Sequence, residues 1–286
     1  MSDPTPPAPS HVAGTSATRL HHGLVIGTFY PPHAGHLALI RAALSRCDVV
    51  TVEVLGGSTE SIAVTLRLDW LREEAPTARI VGVVDDAEID FESGAAWDHH
   101  TGVIRSLLDP ADGAVEGVFT SDAYGEELAR RLGAQWVRVD PDRSSLTVSS
   151  TAVRADVAAQ WWALPAPVRA WLARRVDVVD PDVGRGERRG RLLADALGVP
   201  CVVGGDDDHA VRRSPRPLVV RCGPPPTGPA GSAQAAPLTL GVDPGEDDGA
   251  WLAASVVEVA DLLADGFGLV PSLEQQQAAA RRDAPS

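Results

Sequence analysis

The sequence predicts an α/β protein, a doubly wound parallel sheet with a smaller α/β region behind it. Three observations carry this expectation. Short apolar runs alternate with segments of helical spacing from residue 23 to about residue 176, and strands joined through helices run parallel. The chain has 286 residues and is 44% hydrophobic, enough for one large core or two modest ones. After Arg175 the alternation resumes once and then gives way to a stretch rich in Gly, Pro, Asp and Ala.

Residues 1–20, rich in Pro, Ser and Thr, read as a disordered tail. GLVIGTF is a short buried strand broken by PPHAGH. LALIRAALSRC then has helical spacing, with Leu37, Ile40, Ala43 and Leu44 on one face, and DVVTVEVL is the next strand. This is a βαβ unit, and the pattern continues. VTLRLDWLREEAP is a helix, ARIVGVVD a strand, and SGAAWDHHTGVIRSLL a helix starting near Ser93. EGVFTSD is a strand, AYGEELARRLG a helix closed by Gly133, and AQWVRVD a strand. SSTAVRADVAAQWWALP is a loop entering a helix. The expected first domain is therefore 21–175, Rossmann-like in its alternation. In the second region, 176–270, RVDVVDPDVGRGERRGRLLADALGVPCVV reads as strand–loop–helix–strand. Residues 205–250 are expected to be irregular, AWLAASVVEVADLLADGFG is an amphipathic helix, and 271–286 is a polar tail.

Composition excludes several functions. A net charge of −14 lacks the clustered positive charge that nucleic-acid binding needs. All 25 basic residues are arginine, so chemistry that requires a lysine is closed to this chain. Cys47, Cys201 and Cys222 form no CxxC pair and read as reduced, buried thiols, so no protein metal site is expected. No run of ~18 apolar residues predicts a membrane span. MSDPTPPAPSHVAGTSATRL lacks the features of a signal peptide, so the expected location is cytoplasmic.

Two motifs carry chemistry. The first is Gly27-Thr28-Phe29-Tyr30-Pro31-Pro32-His33-Ala34-Gly35-His36, at a strand end that feeds a helix. Ligands of parallel sheets bind there, where free amides and the helix dipole favour anions. Gly27 and Gly35 permit close backbone approach, and His33 and His36, three residues apart, can address one pocket. The second is Val148-Ser149-Ser150-Thr151-Ala152-Val153-Arg154: hydroxyls that cap a helix, followed by a guanidinium one turn on. Alone, the first could be idle surface histidines and the second a plain N-cap; together they are specific.

These motifs resemble the (H/T)xGH and ISSTxxR signatures of the nucleotidylyltransferase superfamily. GLVIGTFYPPHAGHLALIRAALSRCD, LRLDWL, FTSDAYGEELARRLG, VDPDR and SSTAVRADVAAQWWALPAPVRAWLARRV follow in the order found in one branch. They resemble the adenylyltransferase domain of the bifunctional nicotinamide mononucleotide (NMN) adenylyltransferase/ribosylnicotinamide kinase family. The resemblance implies transfer of AMP from Mg-ATP to NMN, with Mg²⁺ brought in by the nucleotide. It implies catalytic roles for His33, His36 and Arg154, and phosphate contacts at Gly27, Thr28, Phe29, Gly35, Ser149, Ser150 and Thr151. Ser121 and Asp122 match its nucleotide-contacting loop, and Trp97 its aromatic near the nicotinamide. Arg67 and Arg143 are candidate substrate contacts, while Asp85 and Asp86 read as turn or cap residues. Another phosphorylated acceptor, or a nucleotide sensor without turnover, are the alternatives.

The sequence departs from the branch twice. Thr28 stands where a lysine is common, and DPDVGRGERRG stands where the kinase domain carries GxxxxGKS/T. Without the lysine and the Mg²⁺-binding hydroxyl, the second region is expected to be a degenerate, P-loop-like remnant without kinase activity. Its remaining roles are structural cover or a homo-oligomer contact.

Overall fold

The computed structural model describes residues 19–87, 90, 92–140, 147–204, 207–223, 236–241 and 245–269. The alternation of the first 140 residues folds as β1 (Leu20–Gly27), α1 (Ala34–Arg46), β2 (Cys47–Gly56), α2 (Val64–Glu74), β3 (Arg79–Val84), α3 (Gly94–Leu107), β4 (Gly117–Thr120), α4 (Tyr124–Leu132) and β5 (Gln135–Arg138). The strands form one parallel sheet in the order β3-β2-β1-β4-β5.

Period-two alternation decides which residue faces which helix layer. Val25 joins Leu37, Ile40, Val52, Val54, Leu68 and Leu71 on the α1/α2 face. Leu24 and Ile26 join Trp97, Ile104 and Leu128 on the α3/α4 face. Each such side chain, fully buried, contributes about 1.5–3 kcal/mol. Gly133 closes α4 with a φ of 71°, the left-handed C-cap that its position predicts.

Strand order reverses at β1, which lies between β2 and β4. A crevice therefore opens at the carboxyl ends of these strands, where open α/β sheets bind ligands.

After β5 come α5 (Ser150–Ala155) and α6 (Ala166–Leu172), then the second sheet. The segment read as a loop entering a helix is a helix of six residues, then a turn at Trp161–Ala163 and a new helix. Asp156 ends α5 in extended backbone (φ −151°), and Pro165 starts α6. The second sheet contains β6 (Arg174–Val179), β7 (Cys201–Val203), β8 (Leu218–Cys222) and β9 (Leu238–Gly241), all parallel, in the order β7-β8-β6-β9. Its helices are α7 (Val183–Leu197), α8 (Asp208–Arg213) and α9 (Asp248–Ala264). The change of sheet falls at Arg174, inside the expected first domain.

Residues 205–250 were expected to be irregular; they contribute α8, β8 and β9. The strands LVVRC and LTLG are only five and four residues long, and flanking Gly and Pro dominate the local composition. A third apolar cluster joins the sheets, with Tyr30, Ile62, Trp161, Trp171, Val211 and Val219 packed together. Trp161 Nε1 donates to the Ser214 carbonyl at 2.8 Å across this seam. Among the described residues, no helix is long and apolar enough to cross a membrane.

Candidate active site

A cavity of about 470 Å³ occupies the crevice at the strand ends. Ile26, Gly27, Thr28 and His36 line it from β1 and α1; Leu55, Gly56, Gly57 and Glu60 from the end of β2; Asp85 and Ala87 after β3; His100 from α3; and Thr120, Ser121, Asp122 and Tyr124 after β4.

The first motif makes a tight exit from β1. Phe29 holds a φ of 47°, uncommon for a bulky residue, and Tyr30–Pro31 is a cis peptide. Phe29 is buried, and its ring lies 4.7 Å from that of His36. His33 is the N-cap of α1, its Nδ1 accepting from the Gly35 N–H at 3.2 Å. Its ring stacks on His36 at 3.8 Å and 24°. Gly35 leaves room for this packing: a Cβ there would lie 3.0 Å from the His33 ring, a tight contact that the ring would have to relieve. His33 is thereby fixed and only 5% exposed, while His36 reaches the cavity wall.

The second motif lands against the first. Ser149 caps α5, accepting from the Ala152 N–H at 3.1 Å, and the Ser150 hydroxyl donates to the Pro31 carbonyl at 3.3 Å. Arg154 donates to the Tyr30 carbonyl, lies 4.9 Å from the Tyr30 ring centre, and reaches the Thr151 hydroxyl at 3.4 Å. Desolvation lowers the pKa of Arg154, yet a guanidinium stays charged at any physiological pH. Segments more than a hundred residues apart therefore meet at the loop that leads into α1, although Ser149, Ser150, Thr151 and Arg154 are not among the residues that line the cavity. With only six residues, α5 has a short dipole; what the motif offers an anion is its hydroxyls and Arg154.

Ser121 and Asp122 line the cavity as the β4 end predicts. Arg67 and Trp97 stand elsewhere. Arg67 is fully buried and does not line the cavity: it donates to Glu60 at 2.6 Å and to the Thr28 carbonyl at 2.7 Å, and packs 5.1 Å from the Tyr30 ring. Its task is to brace the β1 and β2 exits, since Glu60 also accepts from the Gly57 N–H. Trp97 is 5% exposed in the α3/α4 core, against Arg131 at 5.3 Å, and is absent from the cavity wall. Arg143 lies outside the described residues.

Several wall residues escaped the sequence reading: Glu60, His100 and Tyr124, whose hydroxyl donates to the Ile26 carbonyl at 3.1 Å. Asp85, read as a turn residue, does hold a turn by accepting from the Ala87 N–H at 3.0 Å. It also accepts from His99 Nε2 at 3.0 Å and lines the cavity. Burial pulls the pKa of His100 below its ordinary 6.5, so this imidazole is neutral at pH 7. Asp86 accepts from the Ser58 N–H at 2.7 Å, which holds its carboxyl below the usual range.

Among the described residues no arginine lines the cavity, and Glu60, Asp85 and Asp122 do. Among the described residues, no group of three or more His, Cys, Asp or Glu could hold a metal ion.

In the second sheet, only residues 180–182 separate β6 from α7. Asp182 caps α7, accepting from the Arg185 N–H at 3.0 Å. Asp180 receives two bonds from the Arg185 guanidinium, at 2.6 and 2.8 Å. Carboxylates of the chain itself thus occupy the helix mouth where a P-loop would present amides to phosphate.

No protein-family profile matches the chain. The trifunctional NAD biosynthesis/regulator protein NadR of Salmonella typhimurium strain LT2 is 25% identical over 174 residues, 55% of this chain and 42% of that protein. NadR of Escherichia coli K12 matches at the same identity and coverage. The nicotinamide-nucleotide adenylyltransferase of Aeropyrum pernix K1 is 34% identical over 107 residues, 33% of this chain and 57% of that protein. The chain thus spans under half the length of the two NadR proteins. Among solved structures, a NadR protein in complex with NAD and AMP-PNP shares the fold, with a TM-score of 0.54 at 18% identity, covering 71% of this chain and 69% of that one. A NadR protein in complex with NR gives a TM-score of 0.52 at 17% identity, covering 71% and 66%.

Proposed function

As a relative of NadR and of a nicotinamide-nucleotide adenylyltransferase within the nucleotidylyltransferase superfamily, the chain, we propose, transfers AMP from Mg-ATP to NMN, giving NAD and pyrophosphate. An oxygen of the NMN phosphate attacks the α-phosphorus of ATP. The bond from that phosphorus to the bridging β-phosphate oxygen breaks, and pyrophosphate leaves. Such a displacement needs positioning and charge stabilisation more than proton transfer.

The observation that carries this reading is the junction of the two motifs, where Ser150 and Arg154 bond the backbone of Tyr30 and Pro31, the residues leading to His33 and His36. In this arrangement His36, at the cavity wall, donates to the α-phosphate as its charge builds. His33, stacked behind it, fixes its plane and faces the same phosphates. Arg154, with the hydroxyls of Ser149, Ser150 and Thr151, holds the β- and γ-phosphates, and the backbone at Gly27, Thr28, Phe29 and Gly35 shapes the floor beneath them. Ser121 and Asp122 border the nucleoside. Mg²⁺ would travel on the nucleotide, held by phosphates and water.

The ends of β2 and β3 would take the acceptor. That half carries Asp85 and a neutral His100, while the charge of Glu60 is met by Arg67. Negative charge there suits a cationic pyridinium with a neutral carboxamide and opposes a free carboxylate. Trp97 and Arg67 contribute by shaping this wall from behind. The second sheet has no kinase role in this reading, because Asp180 and Asp182 fill the helix mouth and no lysine exists to reach a phosphate.

His36→Ala tests the assignment. Turnover is expected to fall at least ~100-fold with the melting temperature preserved. Near-normal turnover would remove His36 from the mechanism.

A further inference from the structure

Cys201 and Cys222 lie on neighbouring strands of the second sheet with their sulfurs 3.2 Å apart. Cys201 pairs with Val220, so Cys222 stands two positions further along β8 and shares the same face. The two thiols are not equivalent. Cys201 is partly exposed at the start of β7, an edge strand of three residues bonded only to β8. Cys222 is 3% exposed and is held from behind by α7: a Cβ on Gly190 would lie 1.9 Å from its sulfur. Cys201 is therefore the partly exposed member of the pair, and Cys222 the buried one.

We propose that Cys201 and Cys222 form a reversible modification site for low-molecular-weight disulfides, in which Cys201 attacks and Cys222 resolves. The Cys201 thiolate attacks one sulfur of the reagent; the reagent S–S bond breaks, and one thiol departs with a proton from solvent. Cys222 then loses its proton and attacks the Cys201 sulfur of the mixed disulfide, expelling the second thiol. Two protein thiols become one disulfide while one reagent disulfide becomes two thiols, so no other oxidant is required.

The ordering follows from burial: Cys201 is partly exposed and Cys222 is buried. Either sulfur can be the donor in their contact. That contact and burial push the Cys222 thiol up, and the nearby Arg191 favours the Cys201 thiolate. Closure brings the sulfurs from 3.2 Å to ~2.05 Å, and the singly bonded β7 is the element that yields. A two-position stagger spans roughly 8 Å between Cα atoms, beyond the ~7 Å that a disulfide bridges without backbone movement, so closure requires β7 to shift toward Cys222. The closed form is thus strained and readily reduced. Cys47 is an internal control: it is 1% exposed in the first sheet, and burial raises its pKa.

The test treats native full-length protein with oxidised glutathione, alkylates the remaining thiols and maps them by mass. Wild type is expected to fall from three free thiols to one, Cys47, with a Cys201–Cys222 linked peptide. Cys222→Ser should stop at a glutathione adduct on Cys201, Cys201→Ser should not react, and dithiothreitol should restore all three thiols in wild type. Three thiols persisting in wild type, a lasting adduct on wild-type Cys201, or an adduct on Cys222 in Cys201→Ser would each overturn the proposal. None of these readouts depends on adenylyl transfer.

Discussion

Glu53 yields the sharpest stability prediction. It lies in the middle of β2, paired in register with Ile26 and Val81, and is fully buried. Neither carboxyl oxygen has a hydrogen-bond partner. Burial alone pushes its pKa up from 4.5 to about 8. The sign follows by linkage. Below pH 4.5 both folded and unfolded chains hold the proton, and Glu53 makes stability no worse. Between 4.5 and about 8 the unfolded chain releases it while the folded chain retains it, so stability falls by ~1.4 kcal/mol per pH unit. Above about 8 the loss levels off near 5 kcal/mol. Glu53→Gln keeps the shape and removes the titration. Urea unfolding at pH 5, 7 and 9 should show the variant gaining on wild type by about 3 kcal/mol at pH 7 and about 4 kcal/mol at pH 9, relative to pH 5. A difference that stays constant with pH would refute the reasoning and imply a partner for the carboxylate.

Three further outcomes are expected. Arg67→Met leaves Glu60 buried without its counter-charge and should destabilise the fold by about 3–5 kcal/mol in urea; a loss under ~1 kcal/mol would contradict the bracing role. Gly125→Ala places a Cβ 2.0 Å from Thr120 Oγ1 and 2.6 Å from Trp136 Nε1, in the way of the 2.8 Å bond between them. It should cost about 1–3 kcal/mol, read as a lowered melting temperature, and an unchanged melt would show that the packing there is loose. With the carboxylate of Asp85 in the acceptor half, kcat/KM should favour NMN over nicotinate mononucleotide at least ~10-fold, about 1.4 kcal/mol of unfavourable charge contact; parity between the two would contradict the electrostatic argument.

Much of the fold was legible because strand–helix alternation is a local signal. The first nine elements follow the apolar runs and the helical spacing closely, and Ser93 and Gly133 mark helix ends where their chemistry predicts. The juxtaposition of His33 with His36 was also legible, since three residues at a helix start place both rings on one side. What escaped depends on tertiary contacts. Arg67 has helical neighbours Asp69 and Glu73 that look like partners, but the folded loop after β2 delivers Glu60 instead. For Trp97, helical spacing does not distinguish an indole facing the core from one facing a cavity; α3 turns it inward and leaves His100 on the wall. Glu53 sits in an apolar run, where alternation says which face it takes but not whether a partner waits there. β8 and β9 were hidden because strands this short are specified by their neighbours in the sheet.

The most direct test is to incubate the purified protein with Mg-ATP and NMN and to follow NAD and pyrophosphate together. Equimolar appearance of both, absent in His36→Ala, is the predicted result. Binding of both nucleotides with no NAD formed would contradict adenylyl transfer, however well the two motifs meet.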